Sequence, residues 1–356
     1  MDIKVMPKLL RGEVTPPSSK SQCHREIICA ALAHGESRLK NIYFSDDINA
    51  TLRGVSALGA EFIRESDTLR ITGGMATAVP SIDCGAAATT LRLLLPAALA
   101  LYGEANFTGA PSLMSRPLEP YFRLFRERGI EYELNDNCLR VRGRLLAGEY
   151  ALPGDVSSQF FSGLLLALPL LDGESRLRAE SPIQSRPYID MTLDSMKRHG
   201  VSVTQGKNEF IIAPQRYMGC DRAVESDWSH AALWLAAREL GNDISILGMT
   251  EKSVQGDRIF MEYLRALHSK RDIALDVSQC PDIVPPLALA AALGTLAAGL
   301  AFQPMLLGVK LAVAAVAAAS VRRLIDGRPG AGALAGCLTL TAAQVLQIVL
   351  AGGLFN

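Results

Sequence analysis

Residues 17–25 read PSSKSQCHR, and the residue types and spacing in this run suit the capture of an anion. Pro17 and Ser18 end a strand, and Glu26–Leu32 continues as a helix. Lys20, Ser21 and Arg25 then crowd a helix start, where unpaired amides and the helix dipole already favour negative charge. Ser21 can donate a hydrogen bond and Lys20 supplies a point charge. Arg25, one turn beyond Ser21, shares its face. A plainer reading fits the same residues: a capped helix with cations on its surface. A nucleotide P-loop is excluded, because the glycine-rich loop is absent.

The elements that would position these groups recur along the chain. Helix starts follow polar turns at Ser18–Arg25, Asp83–Leu95, Ser157–Leu168 and Asp227–Leu240. An interval of about 70 residues predicts internal repeats. Leu39–Tyr43 and Thr68–Thr72 predict strands, and Asp46–Leu58 predicts a helix with Ser45 as its N-cap. Short strands alternating with amphipathic helices up to about residue 290 predict α/β or α+β layers.

With 356 residues, the chain can build two domains with sizeable cores. Lys and Arg total 36 and Asp and Glu total 36, so no basic field advertises nucleic acid. An anionic substrate would have to be met by locally placed cations. The seven cysteines, Cys23, Cys29, Cys84, Cys138, Cys220, Cys280 and Cys337, are scattered and odd in number. No pair has zinc-ligand spacing, and the five histidines add no metal pattern. Such thiols point to a reducing compartment and to core or strand positions. The first residues carry charges where a signal peptide needs an apolar run, so export is not expected.

The final 70 residues differ in kind. From Leu287 onward the only charges are Lys310, Arg322, Arg323, Asp326 and Arg328. The uncharged stretches Leu287–Val309 and Ala331–Phe355 each exceed the roughly 20 residues that span a bilayer. Up to about Leu293 the reading is a buried core helix. For the rest, membrane association and a fused or altered reading frame both stand open.

The chain resembles the 5-enolpyruvylshikimate-3-phosphate synthases from residue 12 to about 290. Ser19-Lys20-Ser21, with Arg25 four residues on, is similar to their N-terminal signature; the related UDP-N-acetylglucosamine enolpyruvyl transferases carry Lys-Asn there. Further matches come in order: 83–92 (DCGAAATTLR), 115–118 (SRPL), 156–160 (VSSQF), 185–190 (SRPYID), 225–229 (ESDWS), 253–257 (SVQGD) and 280–285 (CPDIVP). The resemblance implies two phosphorylated substrates. Lys20, Ser21, Arg25, Ser157, Ser158, Gln159, Ser185, Tyr188 and Asp282 would bind shikimate 3-phosphate. Lys20, Ala88, Thr89, Arg116 and Gln159 would bind phosphoenolpyruvate. Asp282 and Lys20 would be catalytic, Asp282 taking the proton of the 5-hydroxyl as it attacks the enol carbon. No metal or organic cofactor is implied, since the enol phosphate brings its own leaving group.

The implied fold is a two-domain, inside-out α/β barrel of repeated βαβαββ units. Its first domain, 1–15 plus 227–294, would be incomplete; its second, 16–226, would carry most shikimate phosphate contacts; 295–356 is an atypical apolar tail. A cytoplasmic monomer without nucleic-acid partners is expected, with any membrane contact confined to 295–356. Three departures from the family stand out. Ala88 replaces a glycine of the phosphate turn, whose absent side chain lets a ligand approach; the family pattern then implies glyphosate tolerance. Only 25 positions separate Asp257 from Asp282, so a strand pair is trimmed. No glutamate follows Glu262, and the later K-E-S-D-R, D-H-R and lysine motifs have no counterpart. A remnant that binds shikimate 3-phosphate without efficient turnover, or a membrane-tethered fusion, is the alternative.

Overall fold

The computed structural model describes residues 9–269 and 273–299. Three copies of one unit account for most of them. The first holds helix α1 (Lys20–Ala31), strand Glu36–Lys40, helix α2 (Asp46–Ala57) and the hairpin Glu61–Glu65 with Thr68–Thr72. Its missing first strand is supplied from far along the chain by Asp221–Ala223, parallel to Glu36–Lys40. The second unit runs Ser81–Asp83, α3 (Ala88–Leu101), Glu104–Thr108, α4 (Pro111–Met114), α5 (Glu119–Arg128) and the hairpin Glu131–Leu134 with Cys138–Arg142. The third runs Glu149–Leu152, α6 (Ser158–Ala167), Ser175–Ala179, α7 (Arg186–Arg198), then Thr204–Gln205 paired with Glu209–Ile212. Every unit makes a four-stranded sheet with the same order, one parallel pair followed by antiparallel neighbours.

Burial separates two kinds of helix. In α1, α3 and α6 nearly every residue is buried, including Ile27, Ile28, Leu93, Leu94, Leu165 and Leu166. A helix buried on all sides belongs in a core, and these three lie at the centre with the sheets outside, although α1 buries Gln22, His24, Arg25 and Glu26 along with its apolar residues. The strands fit that position, because Glu36–Lys40 and Cys138–Arg142 bury alternate residues and turn the others to water. The sequence reading of short strands alternating with amphipathic helices is corrected here for the first helix of each unit.

Two boundaries also shift. The strand expected at Leu39–Tyr43 is Glu36–Lys40, because Asn41 takes φ +58° and donates its amide to the Val224 carbonyl at 2.7 Å. Within the turn-and-helix entry expected at Asp83–Leu95, the helix begins at Ala88 and continues past Pro96 to Leu101. Proline cannot donate to the carbonyl four residues earlier. That carbonyl, on Arg92, instead accepts from Tyr121 Oη at 2.8 Å. Ser45 caps α2 as predicted, accepting from the Ile48 amide at 3.4 Å.

After the third unit come α8 (Trp228–Glu239), strand Asp243–Ile246, α9 (Phe260–Leu267) and α10 (Val284–Gly299). They gather a second hydrophobic cluster around Trp228, Leu235, Phe260, Ile283 and Leu287, separate from the large one that runs from Cys23 to Val224. The strand Arg11–Val14 pairs in parallel with Asp243–Ile246. The chain thus passes between the two cores twice, at residues 14–19 and 224–227. These passages lie side by side: Ser19 donates to the Glu225 carbonyl and Asp227 to the Pro17 carbonyl, each at 2.8 Å.

By compactness the chain divides into residues 1–114 with 118–291, and residues 115–117 with 292–356. Leu287 and Ala290 are buried, as expected of a core helix. Among the described residues no helix is long and apolar enough to cross a membrane. The apolar stretch 331–355, the charged residues between 310 and 328, and Cys337 lie outside the described residues.

Gly163 of α6 faces the Arg92 carbonyl and Tyr121 Oη so closely that a Cβ there would stand 2.3 Å from both. Gly163→Ala must push α3 and α6 apart, and is expected to cost about 1–3 kcal/mol of stability. Urea unfolding of the variant beside the parent chain measures it.

Candidate functional site

The three central helices start together. Gln159, in the first turn of α6, donates Nε2 to Thr89 Oγ1 of α3 at 2.9 Å. Arg92 of α3 donates Nη1 back to Gln159 Oε1 at 2.9 Å. From α1, His24 Nδ1 meets Thr51 Oγ1 at 2.7 Å, and Thr51 meets Thr90 Oγ1 of α3 at 2.7 Å. None of these three helices has an acidic residue in its first turn. No carboxylate from within these turns offsets their positive ends, and the start of α3 has no side-chain cap at all, so together they favour an anion.

Arg25 lies inside this cluster, only 1% exposed. Its Nε donates to Thr192 Oγ1 at 2.7 Å, Nη1 to the Ser21 carbonyl at 2.6 Å and Nη2 to Ser162 Oγ at 3.4 Å. All three partners are neutral oxygens. Burial pulls its pKa down to about 10, leaving it a cation at neutral pH. A buried cation held by neutral dipoles is costly unless an anion joins it. Thr192 is held in place by Ser162 Oγ at 2.8 Å and the Tyr188 carbonyl at 3.0 Å.

The other predicted residues fall as follows. Lys20 opens α1, half-exposed, with Nζ 2.8 Å from Asp47 Oδ2. Its amide donates to Asp227 Oδ2 at 3.2 Å. Ser21 is half-buried directly after it. Ser157 caps α6, accepting from the Gln159 amide at 3.3 Å, and Ser158 is buried beside it. Ala88 is the first residue of α3; no side chain caps that helix, since its N-cap is Ala87. The preceding turn is closed by Gly85, at φ +55°, whose amide donates to Asp83 Oδ1 at 2.9 Å.

Ser185 caps α7 at φ +54°, a left-handed conformation that a residue with a Cβ holds only under constraint. The constraint is visible next to it, where the Arg186 amide donates to Gln279 Oε1 at 2.9 Å and Gln279 Nε2 reaches the Ile183 carbonyl at 3.3 Å. This docking brings Asp282 to α7, and Tyr188 Oη donates to Asp282 Oδ2. Burial, then the Asp257 and Asp282 carboxylates, push the Tyr188 phenol well above its usual range, so it stays a donor. Arg116 is exposed on the turn between α4 and α5, and residues 115–117 belong to the second unit.

Several contributors were not singled out from sequence. Thr192 and Ser162 orient Arg25, and the only sequence sign was Thr192 one turn beyond Tyr188. Arg92 stood in a quoted motif without a role; its guanidinium lies 4.9 Å from the Phe160 ring centroid and reaches Gln159. Burial drives the His24 pKa down to about 3, so the ring is neutral. Asp257 is buried near Asp282 and Asp227 and accepts from Ser229 Oγ. Desolvation first, and those two carboxylates after it, raise its pKa to about 6.

The arrangement can therefore hold a polyanion at joined helix starts, against a buried guanidinium, with a carboxylate at its margin. Comparison with known proteins agrees in kind. The family model for EPSP synthase (3-phosphoshikimate 1-carboxyvinyltransferase) matches residues 5–300. A 3-phosphoshikimate 1-carboxyvinyltransferase of Clostridium kluyveri is 38% identical over 307 residues, covering 80% of this chain and 72% of the relative. One of Clostridioides difficile is 38% identical over 322 residues, covering 82% and 74%. The solved EPSP synthase of Acinetobacter baumannii aligns with a TM-score of 0.67 at 22% identity, over 80% of this chain and 72% of that one, a likeness of fold.

Asp257 binds its proton more tightly folded than unfolded, so its contribution to stability falls as pH rises from about 4 through about 6. Asp257→Asn should remove that loss. In urea melts the variant's midpoint, relative to the parent, is expected to be higher at pH 7 than at pH 4; an equal offset at both would contradict the shift.

Proposed function

From the premise that this chain belongs to the EPSP synthase (3-phosphoshikimate 1-carboxyvinyltransferase) family, we propose a division of labour for the family reaction, transfer of the enolpyruvyl group from phosphoenolpyruvate to the 5-hydroxyl of shikimate 3-phosphate with release of phosphate. Residues 16–226 form the domain that holds shikimate 3-phosphate, and 1–15 with 227–294 form the other. The observation that carries this reading is Arg25, a buried cation whose partners are all neutral. Shikimate 3-phosphate would supply the missing negative charge, with Ser21, Ser157, Ser158, Gln159, Ser185 and Tyr188 holding its phosphate and ring hydroxyls.

Asp282 then takes the proton of the 5-hydroxyl, and the Tyr188 hydroxyl holds it in position. Lys20 serves the phosphoenolpyruvate side, where it stabilises developing charge or gives a proton to the methylene carbon; its pairing with Asp47 keeps it at the start of α1 until substrate arrives. The uncapped start of α3, at Ala88 and Thr89, offers backbone amides to the enol phosphate. Arg116 is assigned to the same phosphate on the family motif alone. The reaction runs without a metal or organic cofactor in this reading, in a cytoplasmic monomer.

A second reading is favoured by one observation: no glutamate follows Glu262, so the family's catalytic glutamate has no counterpart after Asp282. Losing one acid–base partner typically lowers turnover about a hundred- to ten-thousand-fold. On that reading the chain binds shikimate 3-phosphate and transfers poorly.

Calorimetry with shikimate 3-phosphate tests the binding half. The parent chain should release heat on saturation and Arg25→Gln should not; no heat from the folded parent would end the proposal. Phosphate release with both substrates then separates the two readings of turnover. The Ala88 methyl narrows the phosphate turn, so Ala88→Gly is expected to lower the inhibition constant for glyphosate. Equal constants for the two forms would count against that role of the methyl.

A further inference from the structure

Three side chains converge away from the anion cluster. Glu26 Oε2, His199 Nε2 and Cys220 Sγ are a group whose ligand atoms all lie within 4.8 Å of one another. Glu26 follows Arg25 on α1, His199 caps the end of α7, and Cys220 joins the strands Tyr217–Met218 and Asp221–Ala223. Their separation along the chain hides them from any reading of ligand spacing. Glu26 and His199 are fully buried, while Cys220 is half-exposed and leaves the group one open side.

The orientation of the imidazole decides what this group can do. His199 Nδ1 lies 3.0 Å from the Met218 carbonyl. A carbonyl only accepts, so Nδ1 carries the hydrogen and the neutral ring turns its lone pair out at Nε2. That lone pair faces Glu26 Oε2 at 3.3 Å and Cys220 Sγ at 3.4 Å. With its hydrogen in place the Cys220 thiol can donate to Nε2; once that proton is lost, the three atoms present lone pairs that one cation can share. The other carboxylate oxygen, Oε1, is already engaged by Arg222 and Ser195 Oγ, at 2.8 and 2.7 Å, which leaves Oε2 to the group.

The same geometry argues against a nucleophilic relay. A relay puts the thiol and the carboxylate on opposite ring nitrogens, whereas here both face Nε2. A ring that donates one nitrogen to a carbonyl and turns the other to a cluster is the usual setting of a metal ligand. A tetrahedral zinc with bonds of about 2.0–2.3 Å to N, O and S separates its ligands by roughly 3.3–3.6 Å. The distances of 3.3 and 3.4 Å are edges of that size.

We infer that Glu26, His199 and Cys220 bind a divalent cation of the zinc class, with water in the fourth position. A mixed N, O and S donor set selects zinc over magnesium or calcium. On binding, the Cys220 thiol releases its proton to solvent and forms the thiolate–metal bond, while Glu26 and His199 donate as they stand; nothing is oxidised. The metal and Arg222 bring three positive charges, met by Glu26, the Cys220 thiolate and Asp194, whose Oδ2 is 3.0 Å from Arg222 and is shared with Arg198 at 2.9 Å, a fourth positive charge that half faces water. The site braces α1 against α7, the helices that carry Arg25 and Thr192. It is structural and takes no part in the chemistry.

The test is titration of the full chain, stripped of metal by a chelator, with Co²⁺. One Co²⁺ per chain should give a thiolate-to-cobalt charge-transfer band and the intense visible bands of a four-coordinate site. Both should vanish in Cys220→Ser and His199→Gln and survive in Cys138→Ser. Absence of the band in the parent chain, or its survival in Cys220→Ser, overturns the site; the first result would mean that a proton alone sits between the ring and Glu26. A second measurement needs no variant. Zn²⁺ should protect Cys220 of the parent chain from iodoacetamide, read by peptide mass mapping, and equal labelling with and without Zn²⁺ overturns the inference.

Discussion

Arg25 carries its charge inside the protein with a threonine hydroxyl, a serine hydroxyl and a backbone carbonyl as partners. Moving such a cation out of water costs several kcal/mol, and hydrogen bonds to neutral oxygens return only part of that. The molecule tolerates the deficit because the partners are fixed from three different helices. Thr192 comes from α7, Ser162 from α6 and the Ser21 carbonyl from the same turn of α1. Their positions follow from the packing of apolar central helices, so the charge is held by a hydrophobic core that has no polar function of its own.

The same packing explains why the helix starts meet. Each unit places its first helix inside and its sheet outside, and three units built alike present three starts at one place. The links between them, Gln159 to Thr89 and His24 through Thr51 to Thr90, are polar contacts made within that apolar arrangement. Acidic residues are missing from these first turns, though α2, which lies outside the cluster of starts, has Asp46 and Asp47 in its own. The carboxylates that do reach the start of α1 come from elsewhere, Asp227 on the Lys20 amide and Asp47 on its ammonium.

The carboxylate side is assembled differently. Asp282 arrives on a segment from the second core and is fixed to the first by Tyr188, Gln279 and the strained turn at Ser185. Asp257 lies buried close by, with its pKa raised to about 6 by desolvation and by its acidic neighbours. A cluster of carboxylates at the edge of a site that binds anions is electrostatically opposed to that binding. It is consistent with a role in moving protons, which is where the proposed mechanism uses it.

By itself the sequence determined the local elements and the residue types at their ends. Ser45 before Asp46 was legible as a cap, and Ser157 and Asp227 as places where a polar turn enters a helix, because these signals depend on neighbours within one turn. The order of short motifs from Ser19 to Asp282 was enough to indicate the family. The tertiary structure alone decided which helices were central, since α1, α3 and α6 differ from α2, α5 and α7 in what surrounds them more than in their period. It alone joined Arg25 to Thr192, and it alone gathered Glu26, His199 and Cys220. Those contacts link residues far apart in the chain, and their geometry is fixed by how whole helices pack, which no local spacing encodes.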